Sequence, residues 1–172
     1  MKKIIVAILF LLCAFLLQAT FFAQFKIGGI IPNLLLIVTA SIGFLEGRRA
    51  GLYVGFFAGI LLDVFFGSLY GVNAMLYMWV GYLNGSLMKI LYSKDIKTPL
   101  LLIALSNVLY NLMYCFCHFI LNGKFDLGYY IGKVILPEMI YTTIMAVILY
   151  PFIHFCFKKI EDLENKGEQS VV

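Results

Sequence analysis

The chain has 172 residues, of which 63% are hydrophobic and 13% charged, with a mean hydropathy of +0.98. That balance excludes an ordinary soluble domain and points to an integral membrane protein. The net charge of +4 is small, and the basic residues sit in short connections rather than in a patch interleaved with aromatics, so there is no nucleic-acid footprint.

Apolar runs cover residues 4–25, 30–45, 50–66, 72–92, 100–121 and 137–157. Each approaches the length that crosses about 30 Å of hydrocarbon, with the second and third short enough to lie inside a bundle. The expected fold is an all-α integral membrane protein: a single domain of six transmembrane helices over residues 1–159, then a short disordered tail at 160–172. With the amino terminus in the cytoplasm, the inner connections and ends hold Lys2, Lys3, Arg48, Arg49, Lys89, Lys94, Lys97, Lys158, Lys159 and Lys166. The outer ones hold Lys26, Lys124 and Lys133. The positive-inside rule therefore predicts that both termini are cytoplasmic.

The first run resembles a signal peptide in its Lys2-Lys3 start and its Leu17-Gln18-Ala19 triplet, but it continues through Phe21, Phe22 and Phe25, which suits an uncleaved span. Cys13 follows Leu11-Leu12, and a bulky Leu directly before a cysteine fits lipoprotein processing poorly. Pro32 is expected to open the second helix, where a missing amide donor is harmless.

The middle of the chain carries a repeat of four. Gly43, Gly47, Gly51, Gly55 and Gly59 are followed at the same step by Asp63, Gly67 and Gly71. A step of four advances about 40° beyond a full helical turn, so Gly51, Gly55, Gly59 and Asp63 form one slowly winding ridge of nearly bare backbone. In lipid such a ridge admits a second helix closely, either within the bundle or from a partner. Asp63 lies about 21 Å along the helix from Arg49, deep enough that an ionisable group costs a few kcal/mol unless paired, protonated or facing a polar cavity. Three roles remain open for it: a clamp on backbone amides of the 67–71 turn or on Asn73, a partner or ligand site, and a proton relay.

Further along, Cys115, Cys117 and His118 lie on the fifth span, and His154 and Cys156 on the sixth. No Cys-x-x-Cys or His-Glu-x-x-His spacing accompanies them, so packing residues are expected rather than metal ligands. All four cysteines fall in apolar runs, which predicts no disulfide framework. The glycine repeat contains no Gly-Lys-Ser or Gly-Lys-Thr and follows no strand, so no phosphate loop is present. The sequence thus predicts no catalytic residues, no metal and no cofactor. Residues 122–136 are too polar to cross and too apolar to float free, and Tyr129 and Tyr130 suit the headgroup belt, so this stretch is expected along the outer interface, either as a contact surface for an extracytoplasmic partner or as an ordinary loop with a wet tyrosine pair. Pro137 is expected to open the sixth helix with Glu138 capping its positive end, and Pro151 to kink it.

Three stretches, Ile31-Pro32-Asn33-Leu34-Leu35-Leu36, Leu45-Glu46-Gly47-Arg48-Arg49-Ala50-Gly51 and Gly55-Phe56-Phe57-Ala58-Gly59-Ile60-Leu61-Leu62-Asp63, closely resemble the bacterial rod shape-determining MreD family. So do Gly67-Ser68-Leu69-Tyr70-Gly71-Val72-Asn73-Ala74 and Val80-Gly81-Tyr82-Leu83-Asn84-Gly85, along with Gln18 in the first span and the closing helix from Leu136-Pro137 to Tyr150-Pro151. Asn33 stands where members often carry an acid.

The resemblance implies a non-enzymatic scaffold of the cell-wall elongation complex in the bacterial cytoplasmic membrane. Its implied partner is an MreC-like bitopic protein, and through it RodA, a class B penicillin-binding protein and MreB, with membrane lipid around it. It also implies a fold like that of the substrate-binding components of energy-coupling-factor transporters. The alternative reading is a vitamin-type binding subunit of such a transporter, with a pocket near Asp63, Tyr70 and Asn73. A channel lacks pore-lining polar residues.

Overall fold

The structure, a computed structural model, describes residues 2–26, 29–66, 71–88, 97–122 and 131–169. Six helices account for most of them. Helix α1, Lys2–Leu16, runs on through a π-helical turn at Leu17–Phe21 and a last turn at Phe22–Gln24. It is followed by α2 (Leu34–Glu46), α3 (Arg48–Phe66), α4 (Val72–Leu87) and α5 (Lys97–Asn122). Last comes α6 (Leu136–Gln169), entered through a second π-helical turn at Ile131–Ile135.

Among the described residues, four segments are long and apolar enough to cross a membrane: Lys3–Gln24, Arg48–Phe66, Lys97–Cys117 and Gly132–Leu163. The expectation of six spans is therefore met by four, with α2 at 13 residues and α4 at 16 falling short. The third span, expected to be short, is a full helix of 19 residues.

Helix α2 is the short one because it is the centre. Every residue from Leu34 to Phe44 is buried, and all five other helices pack against it. A helix apolar on all sides finds its stable place inside a bundle. The residues facing outward, such as Ile5, Leu9 and Leu12 of α1 and Ile148, Phe152 and Phe155 of α6, are large and apolar, as hydrocarbon requires.

The tightest seam joins α3 to α4. A Cβ added at Gly51 would lie 2.2 Å from the carbonyl oxygen of Gly81, one at Gly55 would lie 2.2 Å from that of Tyr77, and one at Gly59 would lie 2.3 Å from Ala74 Cα. The seam is small on both sides: a Cβ at Gly81 would meet the Gly51 oxygen at 2.0 Å, and one at Gly85 the Arg48 nitrogen at 2.5 Å. Gly43 of α2 faces the same Gly81 carbonyl at 2.6 Å. Backbone thus meets backbone, which gives the dispersion contact that drives helix association in lipid.

Two glycines of the repeat act differently. Gly47 and Gly71 both have φ near +89°; no atom lies within 4 Å of a Cβ at Gly71, and only Met88 Sδ, at 3.8 Å, near one at Gly47. They are hinges, Gly47 between α2 and α3 and Gly71 at the start of α4, in a conformation that disfavours any side chain.

The prolines need correction. Pro32 precedes α2 by two residues, and Asn33 is the cap. Pro137 does not open a helix, because the π-helical turn at Ile131–Ile135 continues directly into α6. Its ring offers no donor to the carbonyl four residues back, and the wider turn lies where that bond is missing. Pro151 sits inside α6, which continues to Gln169 through most of the segment expected to be a disordered tail.

Candidate functional site

A helix that begins in the interior of a membrane protein leaves amide donors that water cannot reach, so side chains must take them. The start of α2 solves this with three polar residues from three elements. Asn33 Oδ1 accepts the Leu36 amide at 3.1 Å, Gln18 Oε1 of the first π-helical turn accepts the Leu35 amide at 3.2 Å, and Thr142 Oγ1 of α6 accepts the Asn33 amide at 3.0 Å. The Leu34 amide donates to the Pro32 carbonyl at 3.1 Å. The Tyr77 hydroxyl of α4 donates to Asn33 Oδ1 as well.

Asp63 performs the same task for α4. Its Oδ2 accepts the amides of Gly71 at 3.0 Å and Ala74 at 2.9 Å, while Oδ1 accepts the amide and the side-chain Nδ2 of Asn73 at 3.2 and 3.0 Å. Asp63 is 4% exposed. The geometry is that of a clamp that closes the α3–α4 turn, with every contact a donor. Asn73 Oδ1 then receives the Tyr110 hydroxyl of α5 at 2.7 Å, which ties α5 to the same end of the bundle.

Between these two caps lies a cavity of about 180 Å³. Its polar lining comes from Gln18, Asn33, Tyr110, Asn111, Tyr114 and Glu138, and Ile31, Leu62 and Val134 complete it. Tyr110 and Tyr114 stack with ring centroids 6.0 Å apart. The half-buried Glu138 accepts from Asn111 Nδ2 at 3.2 Å. Because helical turns precede it from Ile131 onward, Glu138 is not the terminal helix cap that the Pro137-Glu138 pair suggested.

The expected site residues therefore separate. Gly51, Gly55 and Gly59 line the seam within the chain, Gly47 and Gly71 are hinges, and Asp63 is the clamp. Pro32 lies beside the α2 cap, Pro137 immediately before Glu138, and Pro151 away from the site within α6. Gly67, Tyr70, Tyr129 and Tyr130 lie outside the described residues. Sequence reasoning missed Tyr77, Tyr110, Asn111 and Thr142, each a polar residue on an apolar helix; the asparagine at step four from Asn107 was the available signal.

At the opposite end, Lys3 Nζ pairs with Glu46 at 3.0 Å and the Arg48 guanidinium lies 5.9 Å from the centre of the Tyr82 ring. The bundle is thus basic at one end and carries its caps and cavity at the other.

Comparison with curated proteins and with solved structures returns no match. A family model described as rod shape-determining protein MreD matches residues 1–160. That match takes in α1 to α5 and most of α6, with both caps, the glycine seam and the cavity, so the chain belongs to the MreD family of rod shape-determining membrane proteins.

Proposed function

We propose that the protein is a non-enzymatic scaffold of bacterial cell-wall elongation, set in the cytoplasmic membrane with both termini inside. In this reading it binds an MreC-like bitopic protein and, through it, RodA, a class B penicillin-binding protein and MreB. The observation that carries the reading is the family match over residues 1–160.

Two structural features agree with it. Gln18, Asn33, Asp63 and Thr142 at the capped end each hold a helix start. The glycine groove, expected to admit a second helix either of the bundle or of a partner, is filled by α4 of the same chain. A bitopic partner then binds outside the seam, on the lipid-facing surfaces of α1 and α6 or on residues 122–136. Expression in a rod-shaped bacterium depleted of its own MreD tests the reading: restored rods support it, and stably inserted protein with persistently round cells contradicts it.

One observation, the polar cavity lined by Asn33, Asn111 and Glu138, favours the second reading of a small-molecule-binding transporter subunit, at a different place from the pocket near Asp63, Tyr70 and Asn73 that the sequence suggested. That reading requires co-purification with a transmembrane coupling subunit and ATPases.

A further inference from the structure

The cavity between the two caps holds an acid, Glu138, that meets no counter-charge among the described residues. Glu138 accepts from the Asn111 carboxamide and shares the cavity with that of Asn33, and no cationic side chain among the described residues pairs with it. Amide dipoles hydrogen-bond a carboxylate but do not cancel its net charge, so in a lipid-embedded bundle such an acid is costly unless it is protonated or meets a cation.

Three further features describe what would fit beside it. Tyr110 lines the cavity, and its hydroxyl, which gives its proton to Asn73, keeps acceptor capacity on its oxygen. Tyr110 and Tyr114, whose rings stack on each other, both line the same space, and aromatic rings attract cations. The volume of about 180 Å³ equals roughly six waters at about 30 Å³ each, below the usual range for drug-sized ligands.

Independently of the lining chemistry, both irregular turns of the bundle border this one space. Gln18 belongs to the π-helical turn Leu17–Phe21 and Val134 to the π-helical turn Ile131–Ile135. Such turns interrupt regular backbone bonding and concentrate at functional sites.

We propose that this cavity binds a small primary ammonium group, with Glu138 as its counter-ion and Tyr110 and Tyr114 as its aromatic and acceptor wall. The ammonium belongs either to a free amine or to the ethanolamine headgroup of a surrounding lipid. The site is independent of whether the chain acts as a scaffold or as a transporter subunit.

The test uses the full chain in nanodiscs of phosphatidylcholine and phosphatidylglycerol, with radiolabelled ethanolamine as probe. A parallel arm measures the thermal unfolding midpoint with and without phosphatidylethanolamine in the disc. Glu138→Gln keeps an oxygen for Asn111 and removes the charge; Val134→Phe fills the cavity and alters no polar group, and it carries the test if the first variant fails to insert.

Saturable binding of one ethanolamine per chain, weakened at least tenfold in either variant, assigns the site to a free amine. A midpoint raised by phosphatidylethanolamine in the wild type and unmoved in the variants, without binding of the free probe, assigns it to the lipid headgroup. Absence of both effects in the wild type, or effects equally strong in the variants, overturns the proposal.

Discussion

Asn73 gives Asp63 both its backbone amide and its side-chain amide, at 3.2 and 3.0 Å, while its own carbonyl oxygen receives the Tyr110 hydroxyl. One asparagine thus joins the end of α3, the start of α4 and the middle of α5. The clamp consists of donors converging on a single acid, and this arrangement predicts how substitutions behave.

Asp63→Asn removes one acceptor oxygen and turns an NH2 group toward amides that are themselves donors. The expected loss is about 2–4 kcal/mol, since leaving buried donors unsatisfied costs about 1–3 kcal/mol each. An isosteric amide is therefore not neutral here. Thermal unfolding in a mild detergent checks this, and a midpoint equal to that of the wild type would show that the clamp is dispensable.

Gly55→Ala adds one methyl group at a site where the Tyr77 carbonyl oxygen is 2.2 Å from the new carbon. Helices α3 and α4 must separate, with an expected cost of about 1–3 kcal/mol for overpacking. Gly71→Ala meets no neighbour but must adopt φ near +89°, a strain of about 1–3 kcal/mol. Cross-linking between cysteines placed across the seam separates the two mechanisms: cross-linking falls for Gly55→Ala and persists for Gly71→Ala.

Thr142→Val keeps the shape of the side chain and deletes the oxygen that accepts the Asn33 amide. A loss of about 1–3 kcal/mol is expected for the buried amide left unpaired. Hydrogen exchange at residues 33–36 reports it directly; faster exchange there than at residues 40–44 is the predicted pattern.

The glycine seam and the clamp were legible in the sequence because their geometry is local. A step of four fixes one helix face, and eight residues separate Asp63 from Gly71, so a turn brings the acid to the amides. Which surface the ridge meets was not legible, since it depends on small residues at Ala74, Gly81 and Gly85 that become a groove only when α4 folds back.

The cavity was hidden for a different reason. Asn33 and Thr142 are 109 residues apart, and Asn111 and Glu138 are 27 apart. Their meeting depends on how α5 and α6 surround α2, and no periodicity within one helix encodes that. Glu138 looked like a helix cap because Pro137 is a common opening residue, and the π-helical turn that extends the helix upstream has no sequence signature of comparable strength.

Affinity purification of the tagged protein from its native membranes in mild detergent, with mass spectrometry of the bound proteins, decides whether the chain is a scaffold of cell-wall elongation. Recovery of an MreC-like bitopic protein together with wall synthases is the predicted result. Recovery of a transporter coupling subunit and its ATPases in their place would contradict it.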